Sequence, residues 1–371
     1  MTYARSRLWL GITGVGLIVL LCICALMLGW PGRVFDSFTP SLLSDAKGLS
    51  WILALYAAIH IPIDYIGGYW LPCHFSRQCL LFPYYAAQYF RGLLVQSAFL
   101  FLAAMALLQA GRWGGRPTVL LLLCLMMLLM VETQVRIAMY LAGLRISGAE
   151  SINGKEIVFV SSMDSGFSGG ISGLPGRERL IVPLLWQKVL PNASLGLAVK
   201  RRLAAVSTGS RRRGLLLAIG WNLFGFLASS MLPGAGVTSL KEFFTTSLWF
   251  TLWSFLGLLL LPTFSRQGVF ELDHFAKATG TSAIDLALTV RELDQLQDDE
   301  PLRPLGVEMI FHPVPSVESR LEHFRNDSNP KGAWNAARYA LFLSWPCLGF
   351  LNRAVHCNSG RPELWVMLPV D

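Results

Sequence analysis

Six stretches of about twenty residues with almost no charge decide most of what this chain can be. A helix needs roughly 20 apolar residues to cross the hydrocarbon of a bilayer. With lipid outside, only a helix can satisfy the backbone of such a stretch. The candidates are residues 8–30, 51–71 and 92–110, then a Leu/Met run that starts after Pro117 and ends through Glu132, Gln134 and Arg136, then 214–232 and 243–264. Arg5 and Arg7 precede the first, as they would in a signal peptide. Its apolar core is too long for one, and no small-residue cleavage site comes before Pro31, so it reads as a retained anchor.

Composition agrees. Only 15% of the 371 residues are charged and 53% are hydrophobic, where a soluble domain carries about a quarter charged. The net charge of +8 sits beside the apolar stretches, where it orients spans and meets anionic headgroups. No stripe of Arg and Lys with exposed aromatics lies away from them, which argues against nucleic acid as a partner and for the lipid bilayer. The larger basic set (Arg5, Arg7, Arg77, Arg91, Lys200, Arg201, Arg202 and Arg211 to Arg213) falls on one side if six spans alternate. That side is placed in the cytoplasm with both termini, in a membrane of bacterial plasma-membrane type. The expected organisation is then residues 1–143 with four spans, 144–213 as a first polar segment, 214–264 as a membrane hairpin, and 265–371 as a second polar segment. Both polar segments reach one membrane face and should form one domain.

Within them, Lys155 to Val160 reads as a strand from its β-branched and aromatic content. A Gly-rich stretch, 166–173, follows, then a second apolar run at 180–185. Residues 195–206, 269–278, 282–296 and 317–324 read as helices, the last capped by Ser316. Residues 336–351, interrupted by Pro346, read as a buried or interfacial helix. The seven cysteines form no disulfide framework, and Cys73 and Cys79 around His74 read as two packed thiols.

The order of these parts resembles the HtpX and CAAX-prenyl-protease class of membrane zinc metallopeptidases over residues 157–324. Gly169-Gly170 with Arg179-Leu-Ile-Val182 is similar to that class's substrate-edge strand. Leu190-Pro191 to Leu195 is similar to the approach to its metal-binding helix, Val269 to Ala276 to its ExxxD helix, and His312-Pro313 to Arg320-Leu321 to its late element. The resemblance implies an α-helical integral membrane protein of about six transmembrane helices with a small α+β metallopeptidase-like cytoplasmic domain. It also implies zinc. A zinc peptidase sets two His at i and i+4 so that both imidazoles meet one metal, with a Glu between to activate water. Carried over, the HExxH positions fall on Arg201-Arg202-Leu203-Ala204-Ala205 and the Glu ligand on Val269; only Asp273 remains. No two of the six histidines are three or four residues apart. No cofactor and no catalytic residue is therefore assigned.

The leading reading is a catalytically degenerate homologue, a pseudoprotease, acting as a binding, scaffolding or regulatory module toward membrane proteins or peptides. Gly169, Gly170 and Ile171 offer it a peptide-binding edge, and Arg211, Arg212 and Arg213 an anion or lipid contact. The alternative is an active peptidase or other hydrolase with a non-standard site. Gly166-Phe-Ser168-Gly-Gly170 matches a nucleophile-elbow pattern, yet the following Gly173 and Pro175 disfavour the helix an elbow needs. A second alternative is a small transporter or lipid-handling protein using intramembrane Asp64, Glu132 and Arg136. Glu132 and Arg136 lie at i, i+4 and are expected to neutralise each other.

Overall fold

The structure, a computed structural model, describes residues 1–36, 41–152, 154–326 and 330–367. The chain opens with α1 (Tyr3–Met27) and a short α2 (Trp30–Phe35). Then α3 (Leu42–Tyr65) runs on through a π-helical stretch, Ile66–Trp70, into α4 (Leu71–His74). The next helix, α5 (Phe82–Ala142), has 61 residues. At 1.5 Å per residue a straight helix of that size would reach about 90 Å, three times the hydrocarbon thickness. It is broken at Gly115 (φ 65°, ψ −159°), a conformation that a side chain would oppose, with Pro117 just beyond. Its two limbs correspond to the third and fourth apolar stretches. Arg112, just before the break, grips Asp45 of α3 through both oxygens (2.5 and 2.9 Å).

A four-stranded sheet follows: β1 (Arg145–Ile152), β2 (Lys155–Ser161), β3 (Gly170–Ser172) and β4 (Arg179–Pro183), in the order β1-β2-β4-β3. β2 and β4 are parallel and the outer pairings antiparallel. Then come α6 (Leu184–Val189), α7 (Asn192–Ser207), α8 (Ser210–Ser229), α9 (Leu240–Ala278), α10 (Ala283–Leu296), α11 (Leu305–Phe311), α12 (Val317–Arg325), α13 (Ala336–Leu343) and α14 (Glu363–Val366). Ser316 caps α12 as the sequence suggests, accepting the Ser319 N–H, and Ser282 caps α10 by accepting the Asp285 N–H, each satisfying a donor that the first turn leaves free.

Among the described residues, four helical stretches are long and apolar enough to cross a membrane: Tyr3–Met27, Leu42–His74, Phe82–Ala142 and Leu240–Ala278. Large apolar side chains such as Leu20, Leu94, Leu121 and Phe224 point outward, as lipid-facing surfaces do. The chain is an integral membrane protein. α9 is one helix of 39 residues. The sixth apolar stretch and the expected helix at 269–278 are thus continuous, and Val269 and Asp273 ride on a rigid extension of a spanning helix.

The two polar segments share apolar clusters. Leu197 of α7 packs with Ala276, Leu286, Val290, Val317 and Leu321. Leu293 joins Ile157, Leu180 and Trp186 beneath the sheet.

The expected pair of free thiols is corrected: Cys73 and Cys79 form a disulfide. α4 ends at His74 and Ser76 takes a positive φ of 52°, so the chain turns back and brings the two Cα atoms to 4.6 Å. This loop meets the polar segments, with Arg77 donating to Gln295 O and Asp299 Oδ2 (both 3.1 Å) and Gln78 Oε1 accepting the Ser165 N–H (2.8 Å).

The helix expected over 336–351 ends at Leu343, ahead of Pro346. Beyond it the chain runs mostly without regular structure to α14, and from Trp334 to Met367 nearly every residue is buried.

Candidate functional site

Arg201 and Arg202 lie on the buried face of α7, each 1% exposed. Arginine is almost never fully buried without a partner, so what each one meets decides its role. Asp273, also 1% exposed, approaches from α9. Its Oδ1 accepts from Arg201 Nε (2.8 Å) and from Arg320 Nη2 of α12 (2.8 Å), and its Oδ2 accepts from Arg320 Nε (2.9 Å). Both carboxylate oxygens are therefore engaged by guanidinium groups, one of them bidentate, the strongest geometry such a pair has. Around this cluster Ala204, Ala205, Val269 and Leu272 pack into the main apolar core.

Arg202 goes elsewhere. Adjacent residues on a helix point about 100° apart, and Arg202 reaches the sheet. It donates to Ile181 O (2.6 Å) and Ser168 O (2.5 Å), with its guanidinium 4.8 Å from the Trp186 ring centroid. It fastens α7 to β4 and to the Gly-rich approach of β3. Gly169 there has φ +70°, and a Cβ would sit 2.0 Å from Ile181 O, so only glycine lets the two strands approach. Ser168 is buried, and a strand follows it rather than the helix of a nucleophile elbow.

Gly169, Gly170 and Ile171 are buried too. Ile171 O accepts from Tyr339 OH (3.3 Å) and Arg211 Nη2 (3.4 Å), and Gly173 donates its N–H to Val131 O (3.2 Å). The outward side of β3 is thus occupied by this chain's own groups. Of the three arginines at the start of α8, Arg211 also donates to Gly173 O (2.5 Å). Arg213 clasps Glu271 (2.7 and 2.6 Å) and donates to Gly332 O (2.8 Å); Arg212 is exposed. Glu178, 4.0 Å from Arg211, is pushed up by burial. The Lys155 ammonium and the N–H groups of Glu178 and Gly176 more than offset this, holding it below the ordinary carboxylate range.

Of the intramembrane polar residues, Asp64 meets the C-terminal segment. Asp64 accepts from Gly360 N (2.7 Å), from Tyr89 OH (3.0 Å) and from Arg353 Nη2. Arg353 also donates to Tyr89 OH (2.8 Å) and lies 4.4 Å from the Trp365 ring centroid. Glu132 accepts the Leu174 N–H (3.0 Å), so its contact is with the loop after β3. Sequence reasoning did not single out Arg320 or Arg353 as partners. The available signal was charge compensation, since a lone Asp in a span requires a cation from elsewhere.

As a donor set for a divalent cation these residues do not fit. Protonated arginine cannot ligate a metal, Ala205 and Val269 offer no donor, and the Asp273 oxygens are already committed. Among the described residues, no three or more His, Cys, Asp or Glu gather as metal ligands. His312 stands beside His356, ring centroids 4.8 Å apart. Burial, then the charges of Arg303 and His356, hold it well below the usual histidine range.

No protein-family model and no curated protein matches this chain. Among solved structures its fold is similar to that of S. mikatae Ste24p, with a TM-score of 0.62 over 80% of this chain and 79% of that one. The sequence identity is 11%, so the likeness is one of fold.

Proposed function

We propose that this is a Ste24p-like membrane protein in which the place of zinc hydrolysis has become a structural ion cluster, leaving a binding, scaffolding or regulatory module toward membrane proteins or peptides. Ste24p is a CAAX prenyl protease of the zinc metallopeptidase class. The observation that carries the reading is the Asp273 carboxylate shared by Arg201 and Arg320. Two guanidinium groups leave it no oxygen to lend a metal, and they would repel one. The transporter alternative draws no support from Asp64, whose acceptors are all spent on internal partners.

Metal analysis of the purified protein, run with a peptidase assay, tests this. Zinc far below stoichiometry and no chelator-sensitive cleavage are expected; one bound zinc per chain overturns the reading.

Orientation is a separate matter. The basic residues favour a cytoplasmic polar half, while the Cys73–Cys79 disulfide pulls the other way, since such bonds persist in oxidising compartments. We expect a cysteine placed at exposed Arg212 to resist a membrane-impermeant maleimide in intact cells and to react after lysis. Labelling before lysis reverses the orientation.

A further inference from the structure

We propose that the interior of the spanning bundle is a binding chamber, and that residues 330–367 are its built-in, displaceable occupant. Each surrounding helix receives this segment. Gly11 and Gly14 of α1 face His356 and Ala354, Gly67 and Gly68 beyond α3 face Ser359 and Gly360, and Gly92 on the first limb of α5 faces Pro362 and Trp365. On the second limb Gln134 donates to Val366 O (2.8 Å). Asn222 of α8 donates to Ala340 O (3.0 Å), and Ser265 of α9 accepts the Ala337 N–H (3.0 Å).

The form of these contacts matters more than their extent. Helices in a bundle usually interdigitate side chains. Here wall side chains reach the main chain of an irregular segment. Arg7 donates to the His356 and Cys357 carbonyls (2.7 and 2.8 Å), Asp64 accepts the Gly360 N–H, and Gln134 holds the Val366 carbonyl. Main-chain recognition with fitted pockets is how proteins bind extended peptides. The glycines supply the fit: a Cβ on Gly68 would lie 2.0 Å from Gly360 O, and one on Gly11 2.5 Å from His356 N.

The wall helices also pack on one another, α1 on α9, α3 on α5, and α8 on α9. The chemistry of the chamber is that of its guest, a largely apolar segment whose cations are Lys331, Arg338, Arg353 and Arg361, with Arg353 seated on Asp64. The same guest closes the outward edge of β3 through Tyr339. Its departure would therefore open the chamber and withdraw Tyr339 from that edge, where Arg211 and Val131 remain.

The inference does not rest on the metal question, and a zinc result leaves it standing. Its test is thiol reactivity in the full-length protein in nanodiscs. Cys347 and Cys357 are buried in the segment, and Cys22 is buried in α1. Asp64→Asn removes the charge that seats Arg353. At least tenfold faster maleimide modification of both Cys347 and Cys357 is expected, with Cys22 unchanged. Arg7→Gln, which releases two carbonyls of the segment, should do the same and serves if the first variant misfolds. The proposal is overturned if Cys22 accelerates with the other two, or if Cys347 stays protected in a folded variant.

Discussion

Asp273→Ala is expected to cost about 3–5 kcal/mol of stability, the range for removing one partner of a buried charge pair. The change removes the carboxylate that Arg201 and Arg320 share, in a site where each of the two is 1% exposed. Thermal unfolding in detergent, followed by loss of monodisperse protein, reads the effect. The companion variant Arg201→Met/Asp273→Leu/Arg320→Met removes all three charges together. It should recover most of the loss, because apolar replacement of a buried ion triad is often neutral or stabilising. A metal-binding or catalytic Asp273 predicts the opposite pattern, a nearly neutral alanine and a triple variant no better than its parts.

Gly68→Ala is the second large effect, about 3 kcal/mol. Its Cβ would meet main-chain atoms of Gly360 at 2.0, 2.5 and 2.8 Å, and backbone pinned by Asp64 cannot step aside as a side chain would. Gly16→Ala is the control. Nothing lies within 4 Å of that Cβ, so the same substitution in a spanning helix should stay within about 0.5 kcal/mol. Equal losses at the two positions would show that helix glycines as such, rather than the close approach of the C-terminal segment, set the cost.

What the sequence reveals and what it hides divide along physical lines. The apolar stretches are legible because lipid tolerates only helices, and Ser282 and Ser316 mark helix starts because their hydroxyls act locally. β1 is not legible. Arg-Ile-Ser-Gly-Ala-Glu-Ser-Ile has little strand propensity, and pairing with β2 imposes its form. The resemblance brings α7, the end of α9 and α12 to one place, and the structure does join Arg201, Asp273 and Arg320. It does not foresee that Arg202 leaves for the sheet, a matter of helix rotation and a neighbouring Trp186. The Asp64–Arg353 pair spans 289 residues, and no local pattern encodes a contact so distant. The course of the segment after Leu343 is likewise hidden. It is written in notches spread over several helices, which become a groove only once those helices stand together.

The burial of residues 330–367 also fixes an order of events during synthesis. Domains fold N-terminal part first as the chain emerges, and here the central piece is translated after every helix that surrounds it. For a time the newly inserted ring must stand with the Asp64 carboxylate on its inner wall and no counter-ion. Proton uptake or entering water has to bridge that interval, until Arg353 arrives to complete the charge balance from within.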